Sequence, residues 1–196
     1  KAMFINWKLR EINLKVVYYG PALSGKTTNL QCIYAKTNPK LRGELVSLKT
    51  RGDRTIYFDF LQLELGKIAG LKPRFNLYTV PGQVYYVGSR KLVLQGADGV
   101  VFVADSQWER LKANIETKRD MEKNLRALGR DPRSVPLVLQ CNKRDLPQAA
   151  PVSLLRQQFG RNGVQCFQSI ATQGVGVFET LKAIINLVVS RAQRQI

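Results

Sequence analysis

A chain of 196 residues with 44% hydrophobic residues is sized for one domain around one sizeable core. Its 31 Lys and Arg against 14 Asp and Glu give a formal charge of +17, which points toward an anionic counterpart. There is no histidine, so the usual general base and the usual metal ligand are both missing. No apolar run approaches the roughly 20 residues of a membrane-spanning helix, and no secretory signal pattern opens the chain.

The elements alternate between strand and helix. Residues 12–19 are rich in β-branched and aromatic side chains and stop at Gly20, as a strand does. Residues 26–35 follow as a helix. Residues 55–65 alternate, with Ile56, Phe58 and Phe60 on one parity and Tyr57 and Asp59 on the other. Residues 75–80 form the next strand, ended by Pro81 and Gly82. The connection 66–72 is short enough to make these two strands an antiparallel hairpin.

The apolar runs at 99–104 and 135–141 suit strands buried on both faces of a parallel sheet. Residues 108–128 between them predict a helix with Trp108, Leu111, Ile115, Leu125 and Leu128 toward one face, interrupted by Lys118. A short strand at 164–169 leads to a helix striped by Val177, Leu181, Ile184, Ile185 and Val188. The sum is an α/β fold: a single three-layer domain over residues 1–196, with a mostly parallel sheet and one antiparallel strand.

Gly20-Pro-Ala-Leu-Ser24-Gly25-Lys26-Thr27 matches the phosphate-binding pattern G-x4-G-K-[ST] in full. The glycines let successive backbone N–H groups converge on one point at a helix N-terminus, where an anion is stabilised. Lys26 can reach β- and γ-phosphates, the Thr27 hydroxyl can ligate Mg2+, and Ser24 and Thr28 complete the loop and first turn. The pattern stands between a strand and a helix, which the mechanism requires. A nucleoside triphosphate with Mg2+ is the expected ligand.

Asn142-Lys143-Arg144-Asp145 follows the 135–141 strand. Ligands of open α/β sheets bind at the carboxyl ends of the strands, so the placement fits a base site. The Asp145 carboxylate can accept from guanine N1–H and N2–H2. Adenine offers neither donor there and would leave the carboxylate unpaired. Lys143 can lay its stem along the base. Ser169-Ile-Ala171-Thr172 after the last strand can bring backbone N–H groups to guanine O6.

These motifs resemble the Ras-like small GTPase superfamily. The closer similarity is to its bacterial mutual gliding motility branch, the MglA type, through the stretches Val17-Tyr-Tyr-Gly-Pro, Asp53-Arg-Thr-Ile-Tyr-Phe-Asp-Phe and Tyr78-Thr-Val-Pro-Gly-Gln83. The resemblance implies that Thr55 ligates Mg2+ and senses the γ-phosphate, that Gly82 and Gln83 form a second switch with Gln83 orienting water, and that Arg54 stabilises transition-state charge from within the chain. It makes Gln83, Arg54 and Lys26 the catalytic set, and Thr27 and Thr55 the metal ligands. Most Ras-like proteins carry Asp where this chain has Thr79, which leaves one negative charge fewer beside the metal; the bacterial branch shares this Thr. The branch is associated with cell polarity and surface motility, and its members work with a small dimeric activator of the MglB type and with downstream effectors.

Cys32, Cys141 and Cys166 lack metal spacing and suit a reduced cytoplasm. The terminal residues Arg194-Gln-Ile196 hold no prenylation box, and the opening residues hold no myristoylation pattern, so a lipid anchor is not expected. No RNA-binding signature or dense basic tail is present, so nucleic acid is not the expected partner. An acidic protein or an anionic membrane surface, at a cell pole or elsewhere, stays open for the basic charge. Two other functions remain to be weighed: a P-loop kinase, which the base motif and Gln83 oppose, and a binding module whose nucleotide never turns over.

Overall fold

The computed structural model describes residues 3–49, 57–81 and 87–196. Eight strands form one sheet: β1 (Phe4–Asn6), β2 (Glu11–Tyr19), β3 (Val46–Lys49), β4 (Tyr57–Glu64), β5 (Lys72–Thr79), β6 (Gly99–Asp105), β7 (Leu137–Asn142) and β8 (Gln165–Gln168). Their order is β3-β4-β5-β2-β6-β7-β8, with β1 paired to the start of β2. β5, β2, β6, β7 and β8 run parallel, and β4 returns antiparallel to β5, as the short 66–72 connection implies. Two short antiparallel pairs, β1 with β2 and β3 with β4, were not legible in the sequence.

The layers follow from which faces are apolar. α1 (Lys26–Lys36) and α5 (Val177–Gln193) cover one face of the sheet. There Leu30, Ile33, Val177, Leu181, Ile184 and Val188 pack on Ile12, Leu14 and Val16. α2 (Val87–Leu94), α3 (Leu111–Ala127) and α4 (Val152–Phe159) cover the other, with Leu94, Met121, Leu125, Leu155 and Phe159 against Val100, Phe102 and Leu139. Every residue of β6 and β7 is buried, as continuous apolar runs between two helical layers require.

Two sequence expectations change. In β4 the buried core residues are Leu61 and Leu63, on the parity of Asp59. Phe58 and Phe60 lie on the other face, half buried, where both rings meet Tyr78. In α3 the buried face is Asn114, Thr117, Met121, Asn124 and Leu125, while Trp108, on a 3-10 turn before the helix, is 52% exposed. Leu111, Ile115 and Leu128 are half buried against the same core, so apolar periodicity finds part of the face, and the polar Asn114, Thr117 and Asn124 complete it. Asn114 bonds both backbone groups of Asp105, and Asn124 bonds the Tyr19 hydroxyl.

Candidate functional site

The carboxyl ends of β2, β6, β7 and β8 meet at one edge of the sheet, and each delivers one loop there. After β2 the chain turns through residues 20–25 into α1. Gly20 has φ +154° and Gly25 φ +107°, both in the region that favours glycine. A Cβ on Gly20 would stand 2.3 Å from the Val103 carbonyl oxygen, and one on Gly25 2.1 Å from Asn142 Nδ2. Both glycines are therefore needed for shape as well as for backbone freedom. Ser24 Oγ is buried with no protein partner, an orphaned polar atom aimed into the loop that an oxyanion can satisfy.

Lys26 opens α1 and is buried. Its Nζ donates to the carbonyls of Gly20 at 2.8 Å and Pro21 at 2.7 Å, which holds the ammonium inside the loop. Burial pushes its pKa down to about 7; the Arg90 charge adds to that, Asp59 opposes it and Arg110 adds to it. α1 is itself anchored by a buried polar cluster. Asn29 donates to the Gly25 carbonyl and to Gln140 Oε1, and Gln140 donates back to Asn29 Oδ1 and to Thr180 Oγ1. Arg110 closes the outside of the loop by donating to the Ala22 carbonyl at 2.9 Å.

A proton-linkage result follows from Lys26. Phosphate oxygens placed beside the ammonium would favour its charged form, so nucleotide binding is expected to take up a proton wherever the free protein has lost it, above about pH 7. Affinity then falls as pH rises above 7, at up to about tenfold per pH unit from this group. Calorimetric titration in buffers of different ionisation heat is expected to read close to one proton taken up at about pH 8.5. No uptake there would show that Lys26 is already an ammonium in the free protein.

Beside the loop lies a group of oxygen donors. The Thr27 hydroxyl donates to Asp59 Oδ2 at 2.5 Å, and the Thr79 hydroxyl donates to the same oxygen at 2.9 Å. Ser47 donates to Asp59 Oδ1 at 2.7 Å, and the Asp59 backbone N–H donates to Thr79 Oγ1 at 2.8 Å. Asp59 was not singled out by the sequence reading. Its signal was there, a carboxylate flanked by Phe58 and Phe60 near the start of the strand. The negative charge that Thr79 lacks is thus present on the adjacent strand, in contact with both Thr79 and Thr27. All donors here are oxygen, which suits a hard cation such as Mg2+ that takes its other ligands from phosphate and water. Among the described residues no group of three or more His, Cys, Asp or Glu side chains could hold a metal ion.

Asn142 ends β7 and joins three loops. Its Nδ2 donates to the Ser24 carbonyl at 2.8 Å, while its Oδ1 accepts from Ser169 Oγ at 2.9 Å and from the Ala171 backbone N–H at 3.0 Å. Lys143 adopts φ +64°, uncommon for a residue with a side chain, and its Nζ donates to the buried Asp105 Oδ2 at 2.8 Å. Asp105 ends β6 and is a second residue the sequence reading passed over. Asp145 is exposed at the rim, and Thr172 is exposed on the 3-10 turn Ala171–Gln173. Thr28 is half buried in the first turn of α1. Gly20, Ser24, Gly25, Lys26, Thr27, Thr28, Asn142, Lys143, Asp145, Ala171 and Thr172 therefore share one edge of the sheet. Arg54, Thr55, Gly82 and Gln83 lie outside the described residues.

Comparison with known proteins agrees with this arrangement. The family model of the ADP-ribosylation factor family matches residues 1–188. The chain is similar to the mutual gliding-motility protein MglA of Myxococcus xanthus (strain DK1622), with 54% identity over 191 residues that cover 97% of this chain and 98% of that one. The chain accordingly belongs to the ADP-ribosylation factor branch of the Ras-like small GTPases, proteins that bind and hydrolyse GTP.

Proposed function

We propose that this GTPase is a timed switch for cell polarity or surface motility, working as one domain over residues 1–196. The single observation that carries the switch reading is Asn142, which ties the phosphate loop, the base motif and the 169–171 loop into one unit. The motility role rests on the similarity to the Myxococcus xanthus protein.

In this reading Lys26 and the N–H groups of residues 20–27 hold the phosphates. Asp145 accepts from the guanine edge, Lys143 covers one base face while Asp105 holds its ammonium, and Thr172 offers its N–H to guanine O6 beside Ala171, whose N–H donates to Asn142 Oδ1 in the free protein. Thr27 and Thr55 ligate Mg2+, and Asp59 orients Thr27 and supplies nearby negative charge. When bound, Mg2+ neutralises charge that builds on the phosphates. Gln83 orients water, and Arg54 stabilises the charge of the transferring phosphoryl group. The segments around Thr55 and Gly82 differ between the GTP and GDP states, and an MglB-type activator and effectors read that difference. The expected setting is cytoplasmic, with peripheral contact at a pole or membrane.

The test is single-turnover hydrolysis with Mg2+. GTP is expected to be bound and cleaved, ATP neither. Gln83→Ala and Arg54→Ala are expected to keep GTP binding and to lose about a thousandfold or more in rate. Failure of the parent protein to hydrolyse GTP, with or without an MglB-type partner, would replace the switch with a binding module.

A further inference from the structure

The nine residues of β2 separate the phosphate loop from a feature that nucleotide chemistry does not use. β1 and β2 form a hairpin through the turn at residues 7–10, at the opposite end of the sheet. On it Trp7 is 68% exposed, Phe4 65% and Leu9 58%. The turn is held in place. Leu9 N–H donates to Asn6 Oδ1 at 3.1 Å, and Lys72 N–H donates to the Arg10 carbonyl at 2.8 Å. Three large apolar side chains are thus left exposed on one built hairpin, Trp7 and Leu9 on its turn and Phe4 on its first strand.

The charge around them is predominantly basic. Lys8 and Arg10 are exposed on the same turn, and Lys67 on the β4–β5 connection and Lys72 at the start of β5 are also exposed. Glu11 on β2 and Glu64 on β4 are both paired to Arg74, at 2.7 and 3.3 Å. The basic rim extends along the same end of the molecule. Met3, next to Phe4, lines a cavity of about 500 Å³ with Arg130, Arg191 and a single acid, Asp98, whose carboxylate accepts from the Lys15 N–H. Arg191 also belongs to an adjoining groove with Arg133, Arg161 and Arg194, whose lining has no carboxylate.

We propose that this end of the molecule docks on an anionic lipid bilayer, with Trp7, Phe4 and Leu9 entering the headgroup boundary and the surrounding Lys and Arg facing lipid phosphates. A bilayer is favoured over an acidic protein because the apolar groups sit on a turn rather than in a groove. An exposed turn needs a penetrable medium, and an aromatic flanked by cations is the side-chain set of interfacial anchoring. The anionic surface is attractive at each cation, and the net charge of +17 strengthens the approach. The nucleotide loops lie at the far end of the strands, so docking leaves them open to partners. This inference goes beyond the switch reading and does not depend on hydrolysis.

The experiment uses the full chain in its GDP form, with Trp108→Phe so that Trp7 is the sole indole. Vesicles containing phosphatidylglycerol are expected to bind the protein and shift Trp7 emission to the blue, and phosphatidylcholine vesicles to do neither. Trp7→Ala with Leu9→Ala is expected to lower anionic-vesicle partitioning about tenfold or more, as is Lys8→Glu with Arg10→Glu. Guanine-nucleotide binding, measured in parallel, is expected to be unchanged in both variants, which separates loss of docking from loss of the GTPase site. Unshifted Trp7 emission, or equal partitioning by the Trp7 and Leu9 variant, would overturn the proposal. Retention on polyglutamate as tight as on vesicles, and indifferent to Trp7, would assign the surface to an acidic protein instead.

Discussion

Asp59→Asn is expected to raise the Mg2+ concentration needed for half-maximal GTP turnover by about tenfold to a hundredfold, the usual cost of losing a group that orients a metal ligand. The Asp59 carboxylate touches both Thr27 and Thr79 through one oxygen. Removing its charge leaves the Thr27 hydroxyl without its acceptor carboxylate and the cation without a nearby protein negative charge. Ser47 and the strand pairing of β4 with β3 and β5 remain, and the substituted amide keeps the volume, so the fold is expected to hold. Adding Thr79→Asp to this variant returns a carboxylate to the same corner and is expected to recover part of the Mg2+ dependence. In the parent protein the same Thr79→Asp change would set two carboxylates side by side and weaken the site by repulsion. Manganese or magnesium titrations of single-turnover rate read all three. An unchanged Mg2+ requirement in Asp59→Asn would leave Asp59 as a strand-pinning residue only.

Asn142→Ala is expected to cost about 2–5 kcal/mol of folding stability and to remove guanine-nucleotide binding at micromolar concentration. Three partners lose their bond at once: the Ser24 carbonyl, the Ser169 hydroxyl and the Ala171 N–H. Asn142 and Ser169 are buried, so water does not readily replace the lost bonds. The effect on binding should exceed the effect of Asp145→Ala on GTP affinity, because Asp145 is exposed in the free protein and, in the proposed reading, contacts only the base. Asp145→Ala should instead narrow the preference for GTP over ATP. Denaturant unfolding and fluorescent-nucleotide titration separate the two. Equal loss of affinity in both variants, with Asn142→Ala as stable as the parent protein, would mean that the three loops hold their positions without Asn142.

Phosphate and base motifs are local in the chain, and so they were legible before any fold was known. The glycines at 20 and 25 announce a left-handed turn, and the Lys26-Thr27 pair after them announces the ligand. The apolar runs of β6 and β7 announce strands covered on both faces. These features follow from covalent order: neighbouring residues must meet, and period and turn chemistry say how.

Tertiary structure alone decided the rest. Asp59 is 32 residues from Thr27 and on a different strand, and only the antiparallel return of β4 against β5 puts its carboxylate beside Thr79 and Thr27. Lys143 and Asp105 meet because β6 and β7 end in register, Asp105 opposite Asn142. The polar part of the buried face of α3 could not be read from hydrophobic period, because Asn114 and Asn124 are buried for hydrogen bonds to Asp105 and Tyr19 that no local pattern encodes. What the sequence determined by itself was the ligand class and the order of elements, through short-range steric and periodic rules. Which charges stand beside that ligand was decided by strand register, a long-range property set when the whole sheet packs.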